Sequence, residues 1–343
     1  MKKIFLGAVA VFSVVVLATS CQSKQEKPVS AAFYNVENLF DTIDNPLTRD
    51  NDFLPTSKVA WNTERYNRKL KHIAKVMSSM EPGSYPTLFG LAEVENRTVV
   101  EDLIHQKSMV KAGYKILHKD SPDERGIDVA LLYRPDIFRP VETQFIALHF
   151  PSEPNDRTRD ILYSKGVVYG KDTLHVFVNH WVSRYGGQDA TDTLRRYTGY
   201  FLKNICDSIM QVEPKANIII MGDLNDDPTN YSLVKSLGAL QPTPSPVDGA
   251  LYNLAAIPFS QGKGSLYYKS WDLFDQIIVS APMLDGQNGI QVNSESETIF
   301  KKDWMLFKRR DGVMVPNRTE SSRSYFGGYS DHLPVMIGME AHD

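Results

Sequence analysis

Short apolar runs along this chain end repeatedly on a polar residue. AAFY stops at Asn35, LFGLA at Glu93, LHVFVN at His180, and IIIMG at Asp223, with Asn225 two positions further on. Asp275 opens the run QIIVS, and Asp331 and His332 precede LPVMIGM. An ionised or strongly polar side chain inside such a run is costly, whereas at its end it can be aimed rigidly at a shared rim. The runs themselves are four to eight residues long and rich in Val, Ile, Phe and Tyr, which is strand composition. They are AAFYNV, TLFGLAEV, IDVALLY, TQFIALHF, ILYSKGVVYG, TLHVFVNHW, NIIIMG, FDQIIVS and PVMIGM.

Continuous runs such as NIIIMG predict strands covered on both faces, so the pattern points to a two-sheet sandwich with helices outside. Helical spacing is confined to a few places. Tyr66, Leu70, Ile73, Met77 and Met80 mark one helix, Leu194, Tyr197, Phe201, Ile205 and Ile209 a second, and residues 97–110 suggest a third. A hairpin is expected around Gly170, Lys171 and Asp172. No fixed-period repeat is present, and the Pro-rich QPTPSPVDG segment reads as a loop. One domain is expected over 29–343.

The first residues change the picture of where the chain works. Lys2 and Lys3, an apolar run from Ile4 to Ala18, and small residues before Cys21 form a secretory signal over 1–20. The run is shorter than the ~20 residues of a membrane span. A cysteine directly after it matches a bacterial lipobox, so Cys21 is expected to be lipidated, with 21–28 as a polar tether. The expected location is the cell envelope, outside the cytoplasm, with the lipid as the only membrane contact and the chain a monomer. Losing the two signal lysines takes the formal net charge from -3 to -5. Such a chain lacks the bulk basic character of a tight, sequence-indifferent DNA binder, so a metal and a local patch must attract any anionic substrate. Cys206, in a helical stretch, reads as a small core residue.

Each chemical candidate also has a plainer reading. Asp223 and Asn225, two apart in a strand, share a face, although Gly222 and the following NDDP are also turn formers. Asp331 and His332 can face a metal and a substrate or simply cap a strand. Asp275 can hold the His332 ring or be an ordinary strand-end acid. Glu93 and Asn35 offer hard oxygen atoms from two strands, which suits Mg²⁺, Mn²⁺ or Ca²⁺ and not zinc. His180, before Arg184 and two glycines, can grip a phosphate or sit in a loop. His72, His105 and His118 are expected on helix surfaces or loops with no acidic partner.

Seven blocks in order, FYNVENLFD, LAEVEN, ERGIDVALLY, VNHWVSRYGG, MGDLNDDP, FDQIIVS and SDHLPV, resemble the endonuclease/exonuclease/phosphatase superfamily, also called DNase I-like. The resemblance implies an α/β fold, a four-layer αββα sandwich of two mixed sheets flanked by helices. It implies phosphoester cleavage with one or two divalent ions, Mg²⁺ or else Mn²⁺ or Ca²⁺. On it, Glu93 is the principal metal ligand, with Asn35 and Asp331 completing the site. Asp223 orients or deprotonates the attacking water, Asn225 holds a phosphoryl oxygen, His332 acts on the scissile phosphate with Asp275 fixing its ring, and His180 holds another phosphate oxygen. Arg125 and Arg184 are candidate substrate phosphate contacts.

Abasic-site endonucleases of that superfamily carry Tyr where His180 stands, which moves the chain away from that repair role. Three functions fit the sequence: an extracytoplasmic nuclease, a phosphatase or phosphodiesterase acting on inositol phosphates, lipid head groups or other small esters, and an inactive envelope binding protein. The filled catalytic positions argue against the third.

Overall fold

A computed structural model describes residues 27–321 and 323–342. The signal sequence and Cys21 lie outside them. The tether was expected to run to residue 28, but β1 (Lys27–Leu39) already pairs at Lys27 with Ala341, so the last two tether residues belong to the sheet.

After β1 come α1 (Thr63–Ser79), β2 (Leu88–Val94), α2 (Arg97–Ile104), β3 (Lys115–His118) and β4 (Asp128–Tyr133). The chain then builds a second sheet from β5 (Phe138–Ile146), β6 (Ile161–Val168), β7 (Asp172–His180), α3 (Gln188–Val212), β8 (Ile218–Asp223), β9 (Ala239–Leu240), β10 (Leu251–Asn253) and β11 (Asp275–Ser280). It returns to the first sheet through β12 (Ile290–Val292), β13 (Thr298–Ile299) and β14 (Val335–Ala341). The first sheet has the order β12-β14-β1-β2-β4-β3, with β13 also on β14, and the second β5-β6-β7-β8-β11-β10-β9. Each sheet holds a central parallel pair, β1 with β2 and β7 with β8, crossed over by α1 and α3 respectively. The architecture is the expected four-layer sandwich.

Three apolar layers explain the continuous runs. Along β1, Ala31 and Phe33 face the second sheet while Ala32 and Tyr34 face the helices. Along β8, Ile219 and Met221 point inward, and Ile218 and Ile220 point outward to Leu202 and Cys206 of α3. Buried Cys206 is the small core residue expected of it, and burial pushes its thiol pKa up.

Three expectations need adjustment. The apolar stripe read on α3 is only partly buried, and its covered face, one residue over, carries Arg195, Thr198, Leu202 and Cys206. The reason is the wholly buried Arg195, whose Nε lies 2.9 Å from Asp226 Oδ2. The helix expected over 97–110 stops at Ile104, where His105, Gln106, Lys107 and Ser108 offer nothing apolar to bury. The strand expected at TQFIALHF lies earlier, as edge strand β5 running from Phe138, and its Pro140 sits at a register shift where no ladder bond is required. The β6–β7 hairpin turns at Tyr169 and Gly170 as expected.

The sheets approach closely at Gly90, where a Cβ would lie 2.8 Å from Met221 Sδ, 3.0 Å from the Phe33 ring and 3.2 Å from Val178 Cγ1. Gly90→Ala should therefore cost about 1–3 kcal/mol by overpacking. Urea unfolding would check this, with no fall in midpoint contradicting so tight an interface.

Candidate active site

The polar strand ends converge on one edge of the sandwich. In the second sheet, Asp223 stands in register with His180 on its parallel neighbour and with Asp275 on its antiparallel one. Residues directly opposite one another project to the same face, so these three form a row. Gly222 permits the approach beside it, because a Cβ there would lie 2.4 Å from the Asn179 carbonyl. In the first sheet, β1 and β2 lose register after Asn35 and Ala92, and the bulged residues adopt left-handed backbone, with φ of 63° at Glu93 and 53° at Glu37 and Asn38. Asn225, just past β8, has φ of 51°. Non-glycine residues rarely hold this conformation, and here the strain turns side chains toward the rim.

Asn35 joins the sheets. Its Nδ2 donates to Asp223 Oδ2 at 2.9 Å and to Glu93 Oε1 at 3.4 Å, while its Oδ1 accepts from the Glu37 N–H at 3.0 Å. Glu93 Oε2 accepts from the Asn38 N–H at 2.9 Å. Two imidazoles face Asp223 Oδ2 without touching it, His180 Nε2 at 3.7 Å and His332 Nε2 at 3.8 Å. His180 Nε2 is also 3.8 Å from Glu93 Oε1.

The two histidines are held differently. His332 Nδ1 is 2.6 Å from Asp275 Oδ2, and the His332 N–H donates to Ser330 Oγ at 3.0 Å. Burial opposes its charge, yet the Asp275 and Asp223 carboxylates outweigh that and hold its pKa well above the ordinary imidazole value. His180 has no such acid, and its Nδ1 is buried without a partner. Burial, reinforced by the positive charges of Arg159, Arg125 and His332, pushes its pKa well down, so the ring is neutral. Its aim is set through the backbone instead. The buried Arg159 guanidinium donates to the His180 carbonyl at 3.2 Å and the Trp181 carbonyl at 2.6 Å, and is itself held by Asp123 at 2.9 Å. Burial is the main reason the Asp223 carboxyl is raised to about 6.

The profile described as Endonuclease/Exonuclease/phosphatase family matches residues 30–341. The chain belongs to that family. Its members are divalent-metal-dependent hydrolases of phosphoesters. Among solved structures, a humanized D. rerio TDP2 superposes with a TM-score of 0.56 at 14% identity over 91% of this chain and 98% of that one. An endonuclease/exonuclease/phosphatase family protein from Bacteroides thetaiotaomicron gives 0.55 at 15% over 92% and 99%, and a mannosyl-6-phosphatase from the same organism 0.53 at 15% over 91% and 99%. At such identities the likeness is one of fold. No curated protein matches in sequence.

The site's donors suit the family's metal. Glu93 and Asp223 present carboxylate oxygens to a common space with no thiolate nearby, the chemistry of a hard cation. The other expected ligands are engaged by neighbouring groups. Asn35 donates to both carboxylates, and its Oδ1 accepts from the Glu37 N–H. Asp331 turns outward, its Oδ2 lying 3.3 Å from Arg318. Glu93 Oε1 faces His180 Nε2 across the rim at 3.8 Å. Ligand-type atoms of Asp223, Asp275 and His332 also lie within 4.8 Å of one another, but the short His332–Asp275 contact makes that group an imidazole with its orienting acid.

Asn225 Nδ2 is committed to the Trp181 carbonyl at 3.0 Å, and the Asn225 N–H to Asp223 Oδ1 at 3.0 Å. Arg184 is not a free phosphate contact. Its guanidinium bonds the Asn225 carbonyl, Asp226 and Asn230 and lies over Phe274, holding the loop after β8. Arg125 is half-exposed on a turn tied to Asp123, close enough for its charge to act on His180. His118 also departs from expectation. It is buried with Nε2 3.2 Å from Asp128, because Asp128 opens the strand beside its own. Sequence reasoning missed Arg159 and Asp123, and nothing in their local sequence marks them.

A carboxyl raised from 3.8 to about 6 favours the fold while protonated, and that contribution is lost as pH rises through about 6. In metal-free buffer, Asp223→Asn should therefore melt higher than wild type at pH 7.5, the gain vanishing toward pH 4. Equal melting at both pH values would contradict a costly buried carboxylate.

Proposed function

We propose that this chain is an extracytoplasmic, divalent-metal-dependent phosphodiesterase that cleaves nucleic acid by in-line attack of water. The observation that carries the reading is the position of Asp223 Oδ2. It is held by Asn35 and faced by two imidazoles at 3.7 and 3.8 Å, so one carboxylate oxygen and two ring nitrogens converge on the same point of the rim.

A Mg²⁺ ion held through Glu93 would neutralise charge on the phosphoryl oxygens. Asp223, ionised above about pH 6, orients the attacking water and takes its proton as the new P–O bond forms. The His332 imidazolium, fixed by Asp275, gives a proton to the leaving oxygen as its bond to phosphorus breaks. Neutral His180 donates a hydrogen bond from Nε2 to a non-bridging oxygen, and Arg125 meets the substrate from the rim. These groups act by position and charge, where most of the catalysis of phosphoryl transfer resides. No side chain need become covalently attached.

His332→Ala should lower turnover of a phosphodiester by about 10²–10³-fold with Mg²⁺ present, the scale of losing one stabilising group. Full activity in the folded variant would reject the assignment. A panel of DNA, RNA, inositol phosphates and sphingomyelin tests the substrate, and hydrolysis confined to small monoesters would replace the nuclease reading with a phosphatase.

The envelope location rests on the signal and Cys21. Cys21→Ser should move the protein from the membrane fraction to the soluble one, and unchanged fractionation would remove the lipid anchor from the account.

A further inference from the structure

Between Lys301 and Arg323 the chain carries seven Lys and Arg against three acids, in a protein whose formal net charge is -3. The remainder of the chain is thus at -7. All seven cations are exposed. Arg309 pairs with Asp311, and Arg318 with Glu37 and Asp331. Lys301, Lys302, Lys308, Arg310 and Arg323 have no acidic partner among the described residues. Concentrating like charge in this way costs self-repulsion, which the five unpaired cations do not offset with an ion pair.

The stretch adjoins the catalytic edge. It folds as a hairpin, with Leu306–Lys308 paired to Met314–Pro316, and lies against a second hairpin, Leu266–Tyr267 with Trp271–Asp272. That second hairpin touches the site directly. Leu266 bridges to His332, and the Leu333 N–H donates to the Ser265 carbonyl at 2.7 Å. At its other end Arg318 reaches Asp331, the neighbour of His332, at 3.3 Å. Cations and rings alternate across the surface. Arg309 sits 5.4 Å from the Tyr267 ring centre, Lys301 5.2 Å from Trp271, and Arg65 of α1 4.2 Å from Tyr325. Phe307, Phe326 and Tyr268 are all more than half exposed.

We propose that this basic, ring-bearing surface binds a single-stranded segment of nucleic acid whose next phosphate enters the site beside His332. The proposal rests on the phosphodiesterase reading only for where the strand leads. Alternating cations and open ring faces suit a ligand that alternates phosphates with bases. A duplex offers no free base faces to Phe307 or Tyr268, and the acidic remainder of the chain disfavours its wide footprint. A lipid surface also takes rings and cations, and the vesicle arm of the test separates it from a strand.

The test uses Lys308→Ser/Arg309→Ser/Arg310→Ser at the hairpin tip, away from every group placed in the chemistry. Fluorescence anisotropy in EDTA measures binding of a labelled oligothymidylate, and bis(p-nitrophenyl) phosphate with Mg²⁺ measures turnover of a small diester. The variant should bind the strand about tenfold more weakly, with the log Kd against log salt slope reduced by about 2 for three lost contacts. Its turnover of the small diester should stay within twofold of wild type. Unchanged strand affinity and slope would overturn the proposal. So would wild-type binding to phosphatidylglycerol vesicles that the variant loses while strand binding is kept. A wild type that binds the strand as expected but hydrolyses neither substrate would support this surface and reject the phosphodiesterase reading.

Discussion

One hydrogen bond organises the catalytic edge. Asn35 Nδ2 to Asp223 Oδ2, at 2.9 Å, links the point where β1 loses register in one sheet to the end of β8 in the other. Both side chains are buried, so neither can turn to water, and an unmade bond there would leave a buried polar group unsatisfied. The bond fixes how far apart the sheets lie at the rim and places Glu93 and both imidazoles around a single carboxylate oxygen. The three apolar layers below it supply the rigidity, and the bulges at Glu37 and Glu93 supply the final aim.

Around that oxygen the protein keeps two imidazoles in opposite charge states. His332 is tied to Asp275 through its ring and is held charged, whereas His180 is positioned through its carbonyl by Arg159 and is held neutral. The difference comes from where the acids stand. Asp275 lies beside Asp223 in the strand row and bonds the His332 ring, while on the other flank no acid bonds the His180 ring and the Arg159 guanidinium adds positive charge. A charged and a neutral imidazole thus arise from the same residue type on two sides of one carboxylate.

Much of this was legible in the chain. Continuous apolar runs forecast strands covered on both faces, and the polar residue at each run's end forecast the rim, because a strand end is the one place where Asp223 or His180 can be both fixed and reachable. What local pattern could not carry was anything decided by a distant partner. Arg195 is buried against Asp226, a partner far from it in sequence, and the covered face of α3 lies one residue over from its apolar stripe. Arg184 looked available until the loop after β8 consumed it. His118 lacked an acid in sequence but gained Asp128 from the adjacent strand, and Asp331, next to His332, was drawn outward by Arg318. The left-handed backbone at Glu93 and Asn225 likewise has no glycine to announce it.

The most direct measurement is the stereochemical course at phosphorus, using a phosphorothioate diester of single configuration hydrolysed in ¹⁸O-labelled water with Mg²⁺. Direct attack by a water poised at Asp223 predicts inversion. Retention would require two displacements and a covalent enzyme intermediate, and would contradict the account of the site.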